Sequence, residues 1–251
     1  MFDRFDSQFA IVTGAADGIG KGIASRIAAE GATVALFDRN SDQLERTVQE
    51  FVALGYRAEG FTVDIAQETD VANAFQNVLA RFGQLDIMIN SAGILGPTNT
   101  RITDYSVDDY DKVYSVNLRG AFLMTQYAIR AMEPKNYGRI LHMASIAGKD
   151  GNPFMAGYSS TKAGLIGLVK GIGKEYAETD ITVNAIAPAV IRTAMNANTA
   201  PEQLAYMTAK IPMQRLGTVE EVASLASWIV SKEASFNTGC VFDLSGGRAT
   251  Y

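Results

Sequence analysis

Short apolar runs of β-forming residues alternate with longer helical stretches along most of this chain, and that alternation limits what it can fold into. Phe9–Thr13 (F-A-I-V-T), Thr33–Phe37 (T-V-A-L-F), Ala58–Val63, Leu85–Ile89, Ile140–Ala144, Asp180–Ala187 and Gly239–Leu244 each read as a strand, Thr33–Phe37 as a buried one. Helical patterns follow a glycine turn up to Glu30 and then occupy Gln43–Leu54, Glu68–Phe82, Tyr158–Ala177 and Val219–Val230. Strands that alternate with helices predict an α/β fold: a doubly wound parallel sheet with right-handed crossovers and helices on both faces. Sheets of this kind bind ligands at the carboxyl ends of their strands. No linker composition divides the 251 residues, and 47% hydrophobic content supports one large core, so residues 1–251 are read as a single domain.

Charge and composition exclude several classes of function. The net charge is −5 with both signs interspersed, which leaves no electrostatic footprint for nucleic acid or an anionic membrane. The opening M-F-D-R-F-D-S-Q lacks a basic region followed by an apolar core, and no apolar run approaches the length of a membrane span. A cytoplasmic protein with a small-molecule partner is expected. Cys240 is the one cysteine and His142 the one histidine, so neither an intramolecular disulfide nor a metal centre is expected. His142, inside an apolar run, reads as a packed strand residue.

The candidate ligand residues sit where strands end. After Thr13 comes Gly14-Ala15-Ala16-Asp17-Gly18-Ile19-Gly20 and then a helix. Glycines at a strand-to-helix turn let backbone N–H groups approach a pyrophosphate, and the helix N-terminus favours its charge. The spacing is G-x-x-x-G-x-G, unlike the commoner dinucleotide fingerprint, and such turns also use glycine for structure alone. Asp38 closes the second strand, twenty-four residues beyond Gly14, at the position that reads a ribose. A carboxylate there accepts hydrogen bonds from ribose hydroxyls and repels a 2′-phosphate, favouring NAD over NADP; the adjacent Arg39 keeps dual use open. Asp64 and Ile65 end the third strand, with Asp64 a candidate partner for the adenine amino group, and Asn90-Ser91-Ala92-Gly93 follows the fourth.

Ser145 to Lys162 reads S-I-A-G-K-D-G-N-P-F-M-A-G-Y-S-S-T-K, with Lys162 four residues after Tyr158. On a helix that step places the ammonium one turn along the same face as the phenol. A free phenol has a pKa of roughly 10, and a nearby cation favours its ionised form. Tyr158 is then a usable general base, and Ser145 can point its hydroxyl at the same substrate oxygen. Lys149, Asp150 and Asn152 lie between them, either facing a polar substrate or solvated.

From about Phe9 to Gly247 the chain closely resembles the short-chain dehydrogenase/reductase family. T-G-A-A-D-G-I-G matches the family's T-G-x-x-x-G-x-G turn, and N-S-A-G matches its N-N-A-G segment with one substitution. The resemblance implies a Rossmann fold, NAD as cofactor and catalytic Asn117, Ser145, Tyr158 and Lys162. Asn117 lies where one helical pattern passes into another, where a break could free its carbonyl for a water bound to Lys162. The implied cofactor contacts are Gly14, Asp17, Gly18, Ile19, Gly20, Asp38, Asp64, Ile65, Asn90, Ala92, Gly93, Tyr158, Lys162, Pro188, Ile191 and Thr193. Ala189 departs from the family's usual Pro-Gly. The segment at about 190–213, polar and methionine-containing, is read as a substrate lid or a variable surface excursion. Gly164, Gly167 and Gly171 fall on one helix face, and the family packs that helix in a dimer core, so a homotetramer is expected. The ending L-S-G-G-R-A-T-Y and Asp38 look like the branch of sugar, polyol and 2-keto-3-deoxy sugar-acid dehydrogenases. The alternatives are a 3-oxoacyl carrier-protein reductase and a non-catalytic dinucleotide sensor.

Overall fold

Seven parallel strands form one sheet in the order β3-β2-β1-β4-β5-β6-β7. They are β1 (Phe9–Thr13), β2 (Thr33–Asp38), β3 (Ala58–Thr62), β4 (Ile87–Asn90), β5 (Tyr137–Met143), β6 (Asp180–Pro188) and β7 (Val241–Leu244). The helices are α1 (Gly18–Ala29), α2 (Ser41–Ala53), α3 (Glu68–Phe82), α4 (Val107–Tyr114), α5 (Ala121–Met132), α6 (Ala147–Asp150), α7 (Ala156–Glu175), α8 (Pro201–Ala209) and α9 (Val219–Ile229). This computed structural model describes residues 3–193 and 201–249.

Side-chain alternation along the strands divides the core into two layers. Val12, Val34, Leu36 and Leu141 face one side and meet Ile23, Ile27, Phe51 and Val222 of α1, α2 and α9. Ile11, Ala35, Phe37 and Ile140 face the other, against Val71, Phe75, Met124 and Leu165 of α3, α5 and α7. Both faces are covered, which is why these strands read as continuous apolar runs. The chain winds from β1 outward to β3, returns to the far side of β1 at β4, and winds outward again. The reversal leaves a crevice between the ends of β1 and β4, where a ligand fits without crossing a connection. The backbones nearly touch there: a Cβ on Gly14, whose φ is +63°, would lie 2.9 Å from the Ala92 nitrogen.

The expected strands all form, with shifted edges. β5 begins at Tyr137, ahead of its apolar run, because Arg139 is accommodated inside the sheet. Its guanidinium donates to the Asp180 carbonyl (2.7 Å) and carboxylate (2.9 Å) and lies 4.5 Å from the Tyr137 ring centroid. A hydropathy pattern does not register a satisfied charge. α7 begins two residues before Tyr158, at Ala156, and Lys149 and Asp150 belong to the short helix α6, not to an open loop.

His142 is more than packing. Thr125 donates its hydroxyl hydrogen to the Ala121 carbonyl (2.7 Å), so at 2.9 Å it accepts from His142 Nε2–H. The unprotonated Nδ1 faces Asn90 Nδ2 at 3.5 Å. Burial and the Lys162 charge push the imidazole down to about 3, which keeps it neutral in this role.

Candidate active site

Thr13, the last residue of β1, organises the crevice. Its hydroxyl donates to Asn90 Oδ1 (2.7 Å) and accepts from the Ser91 and Ala92 amides (3.1 and 3.0 Å). All three of its hydrogen-bonding positions are used. Sequence reasoning did not single it out; the one signal was a hydroxyl residue closing an apolar run, and its full burial shows only in the fold. The glycine turn bends over this point with Gly14 and Gly18 at positive φ. Asp17 is extended (φ −156°, ψ 174°), and its carboxylate accepts from the Gly18 amide (2.7 Å), starting α1. Gly20 cannot carry a side chain, since its Cβ would meet the Gly14 carbonyl oxygen at 2.1 Å.

Asp38 is tied to the same turn. One carboxylate oxygen accepts from the Ala16 amide (3.1 Å) and the other from the Asn40 amide (3.0 Å). A carboxylate offers about four lone-pair sites, so two remain for a diol. Along the same rim, Asp64 accepts from the Ala66 amide (2.9 Å), and Ile65 is buried against Gly120. Gly93 is hemmed in: a Cβ would lie 3.2 Å from Asn117 Oδ1 and 3.6 Å from Lys162 Nζ. On the other side, Thr193 approaches the glycine turn, its methyl 3.8 Å from where a Gly18 Cβ would stand. The Pro188 carbonyl accepts from the Ile146 amide (3.0 Å), and Ile191 bridges to Gly217.

Asn117 sits in a π-helical segment, Ser115–Gly120, inserted between α4 and α5. This is the expected break between helical patterns. The Ala121 N–H reaches the Leu118 carbonyl, three residues back, and not that of Asn117. The side chain has its own task. Its oxygen accepts from the Ile94 amide (2.8 Å), and its nitrogen donates to the Ile94 carbonyl (2.9 Å) and to Thr161 Oγ1 (3.3 Å). It thereby clamps the Gly93–Ile94 backbone to α7.

Ser145, Tyr158 and Lys162 come together beyond the end of β5. The Ser145 hydroxyl accepts from the Ala147 amide (3.1 Å), which fixes its rotamer, and it is near enough to the Tyr158 phenol to lower the phenol's pKa. Lys162 is buried, donates to the Met143 carbonyl (2.6 Å) and lies 5.7 Å from the Tyr158 ring centroid. That leaves two of the ammonium's three donors uncommitted among the described residues. Burial pushes Lys162 down to about 8, so it remains largely protonated at neutral pH. Burial pushes the Tyr158 phenol up, and the Ser145 hydroxyl partly offsets this. In the protein alone, burial is the largest influence on the phenol.

The residues between Ser145 and Tyr158 are neither free nor merely solvated. Lys149 pairs with Asp243 (2.8 Å), Asp150 accepts from Arg248 Nε (3.2 Å), and Asn152 Oδ1 accepts from Arg248 Nη2 (3.1 Å). Of the segment at about 190–213, residues 194–200 lie outside the described residues, and α8 follows. Among the described residues no group of three or more His, Cys, Asp or Glu side chains is placed to hold a metal ion, and no helix is long and apolar enough to cross a membrane.

This arrangement has close counterparts. A family model described as enoyl-(acyl carrier protein) reductase matches residues 14–249. The chain is 42% identical over 248 residues to a 2-dehydro-3-deoxy-L-rhamnonate dehydrogenase (NAD(+)) of Sphingomonas sp. (strain SKA58), covering 99% of this chain and 98% of that protein. It is 34% identical over 245 residues to a 3-oxoacyl-[acyl-carrier-protein] reductase of Aquifex aeolicus (strain VF5), covering 97% and 98%. The crystal structure of an NAD+-bound xylitol dehydrogenase superposes with a TM-score of 0.92 at 31% identity, covering 97% of this chain and 99% of that one. Sheet order, strand-end residues and whole-length matches agree that the chain belongs to the short-chain dehydrogenase/reductase family.

Proposed function

We propose that this enzyme transfers hydride between NAD and the secondary alcohol or ketone of a polar, sugar-derived substrate, in first place a 2-dehydro-3-deoxy sugar acid and otherwise a polyol. The observation that carries the chemistry is the convergence of Ser145, Tyr158 and the buried Lys162 beyond the end of β5, with the ammonium 5.7 Å from the Tyr158 ring centroid. Asp38 carries the cofactor choice, since its two remaining acceptor sites fit a ribose diol and its charge disfavours a 2′-phosphate. The relatives that act on a sugar acid and on xylitol support the substrate class.

The crevice would hold a nicotinamide dinucleotide: Gly14, Asp17, Gly18, Ile19 and Gly20 would cradle the pyrophosphate. Asp38 would take the adenosine ribose, Asp64 and Ile65 the adenine, and Asn90, Ala92 and Gly93 would line the floor. Pro188, Ile191 and Thr193 would border the nicotinamide, and Tyr158 and Lys162 would meet its ribose. NAD, when bound, supplies the hydride acceptor. Tyr158 removes the substrate hydroxyl proton and Ser145 orients the oxygen from which it leaves. Because burial raises the phenol, its ionisation depends on added positive charge, from the Lys162 ammonium and from an oxidised nicotinamide. Asn117 shapes the route by which the proton returns to solvent through Lys162, and the 190–213 segment closes over the substrate.

The test is an initial-rate comparison of NAD with NADP against 2-dehydro-3-deoxy sugar acids, aldonates, polyols and 3-hydroxyacyl thioesters. No NADH from any of them would leave the dinucleotide-sensor reading in its place.

A cytoplasmic homotetramer is part of the proposal. On α7, Gly167 and Gly171 open onto empty space, and Gly164 lies against Leu118 of the same chain. Tyr114 and Phe122 stand exposed beside that face. A small-residue strip flanked by exposed aromatics suits close helix pairing between subunits. Light scattering is expected to give a mass four times that of the chain; a stable monomer at micromolar concentration would contradict it.

A further inference from the structure

Arg248 was not among the residues picked out in the sequence, yet the structure ties it to Asp150 and Asn152, on the stretch between Ser145 and Tyr158. After β7 the chain turns back through Gly246 and Gly247, at φ +59° and +90°. A Cβ on Gly246 would press on Ile211 at 2.6 Å, and one on Gly247 on Pro212 at 3.2 Å. The Met213 amide donates to the Gly246 carbonyl (3.1 Å). Only glycine permits this fold-back, which lays the tail against the segment after α8. The turn is closed by the Ser245 hydroxyl, which accepts from the Ala249 amide (3.0 Å). Arg248 is thereby carried across to the stretch that joins Ser145 to Tyr158. The backbone amide of Asn152, one of its partners, donates to the hydroxyl oxygen of Ser159 (3.0 Å), next to Tyr158 in the chain.

The two cations on this side are occupied differently. Lys149 meets both carboxylate oxygens of Asp243 (2.9 and 2.8 Å). Arg248, whose side chain is 12% exposed, spends Nε on Asp150 (3.2 Å) and Nη2 on Asn152 (3.1 Å). Its Nη1 has no hydrogen-bond partner among the described residues. Asp150 touches the guanidinium at one nitrogen and is itself 30% exposed, so it holds Arg248 in place without saturating it. A planar guanidinium with an uncommitted edge, fixed between the segment after α8 and the stretch that bears Tyr158, is built to receive a planar anion.

We propose that Arg248 binds the carboxylate of the substrate and so selects acidic substrates over neutral polyols. This rests on the sugar-acid reading above. Asp150 and Asn152 hold the guanidinium; Asp150→Asn keeps an oxygen to accept from Nε, so it preserves that placement while removing the charge that competes with the substrate.

The experiment measures NAD-coupled turnover of 2-dehydro-3-deoxy-L-rhamnonate, the substrate for which the Sphingomonas relative is named, by wild type and by Arg248→Met, Arg248→Lys and Asp150→Asn. Loss of one charge-assisted hydrogen bond corresponds to a rise of about 10- to 100-fold in KM. Arg248→Met should show that rise with kcat changed less than about threefold and the KM for NAD unchanged, and Arg248→Lys should recover part of it. Asp150→Asn separates binding from bracing. If Arg248 meets the substrate, removing its competitor leaves KM unchanged or lower; if Arg248 only braces the stretch before Tyr158 through Asp150, KM rises as in Arg248→Met. A KM within twofold of wild type in Arg248→Met, or a matching rise in Asp150→Asn, overturns the proposal while the sugar-acid reading stands. A wild-type enzyme inactive on the sugar acid but active on xylitol or an acyl thioester removes that reading, and the proposal with it.

Discussion

Tyr158→Phe is expected to lower kcat by about 10²- to 10⁴-fold, the range a general acid–base contributes, while leaving the affinity for NADH unchanged. The phenyl ring keeps the packing of the tyrosine at the start of α7; what goes is the one hydroxyl that takes the proton. Lys162 keeps its bond to the Met143 carbonyl, so the cofactor side of the site is left standing. Single-turnover rates together with fluorescence titration of NADH separate the two quantities. Turnover within tenfold of wild type would mean that another group takes the proton.

Asp38→Ala should lower kcat/KM for NAD by about 100-fold, as expected for losing hydrogen bonds from a diol to a carboxylate. The same change removes the charge that repels a 2′-phosphate, and Arg39 is adjacent and exposed. The ratio of NAD to NADP efficiency should therefore fall further than the NAD value alone. That ratio is the informative quantity, because Asp38 also accepts from the Ala16 and Asn40 amides and its loss loosens the glycine turn. A looser turn weakens both cofactors alike. An unchanged ratio would show that Asp38 is only a brace.

The parts of this molecule legible in the sequence are those where one residue type has one physical use. Apolar runs separated by helical patterns gave most of the sheet, because both faces of its central strands are covered and polar residues are largely kept out of them; the edge strand β3 (A-E-G-F-T) is partly exposed. Asp38 and the glycine turn were visible as departures from pattern at strand ends. Polar groups whose partners lie far away in the chain were not. Arg139 hides in β5 because Asp180, 41 residues away, satisfies it. Thr13 ties β1 to the Ser91–Ala92 backbone 78 and 79 residues on, and His142 reaches Asn90 across 52. Lys149, Asp150 and Asn152 seemed equally suited to a substrate or to solvent. Their actual partners, Asp243 and Arg248, are 94 to 98 residues distant and become neighbours only when β7 docks beside β6. The spacing of Tyr158 and Lys162 placed them on one face, yet spacing carries no information about burial, and burial dominates both groups.

The central claim is that Asp38 and the Ser145–Tyr158–Lys162 cluster make an NAD-dependent dehydrogenase for sugar acids. Its most direct test is the rate of NADH formation or consumption with a 2-dehydro-3-deoxy sugar acid and its alcohol, against NADP with a 3-oxoacyl thioester under the same conditions. The account predicts turnover in the first pair exceeding the second by at least about 100-fold. A preference for NADP and the thioester would contradict it, and would place the protein with the carrier-protein reductases instead.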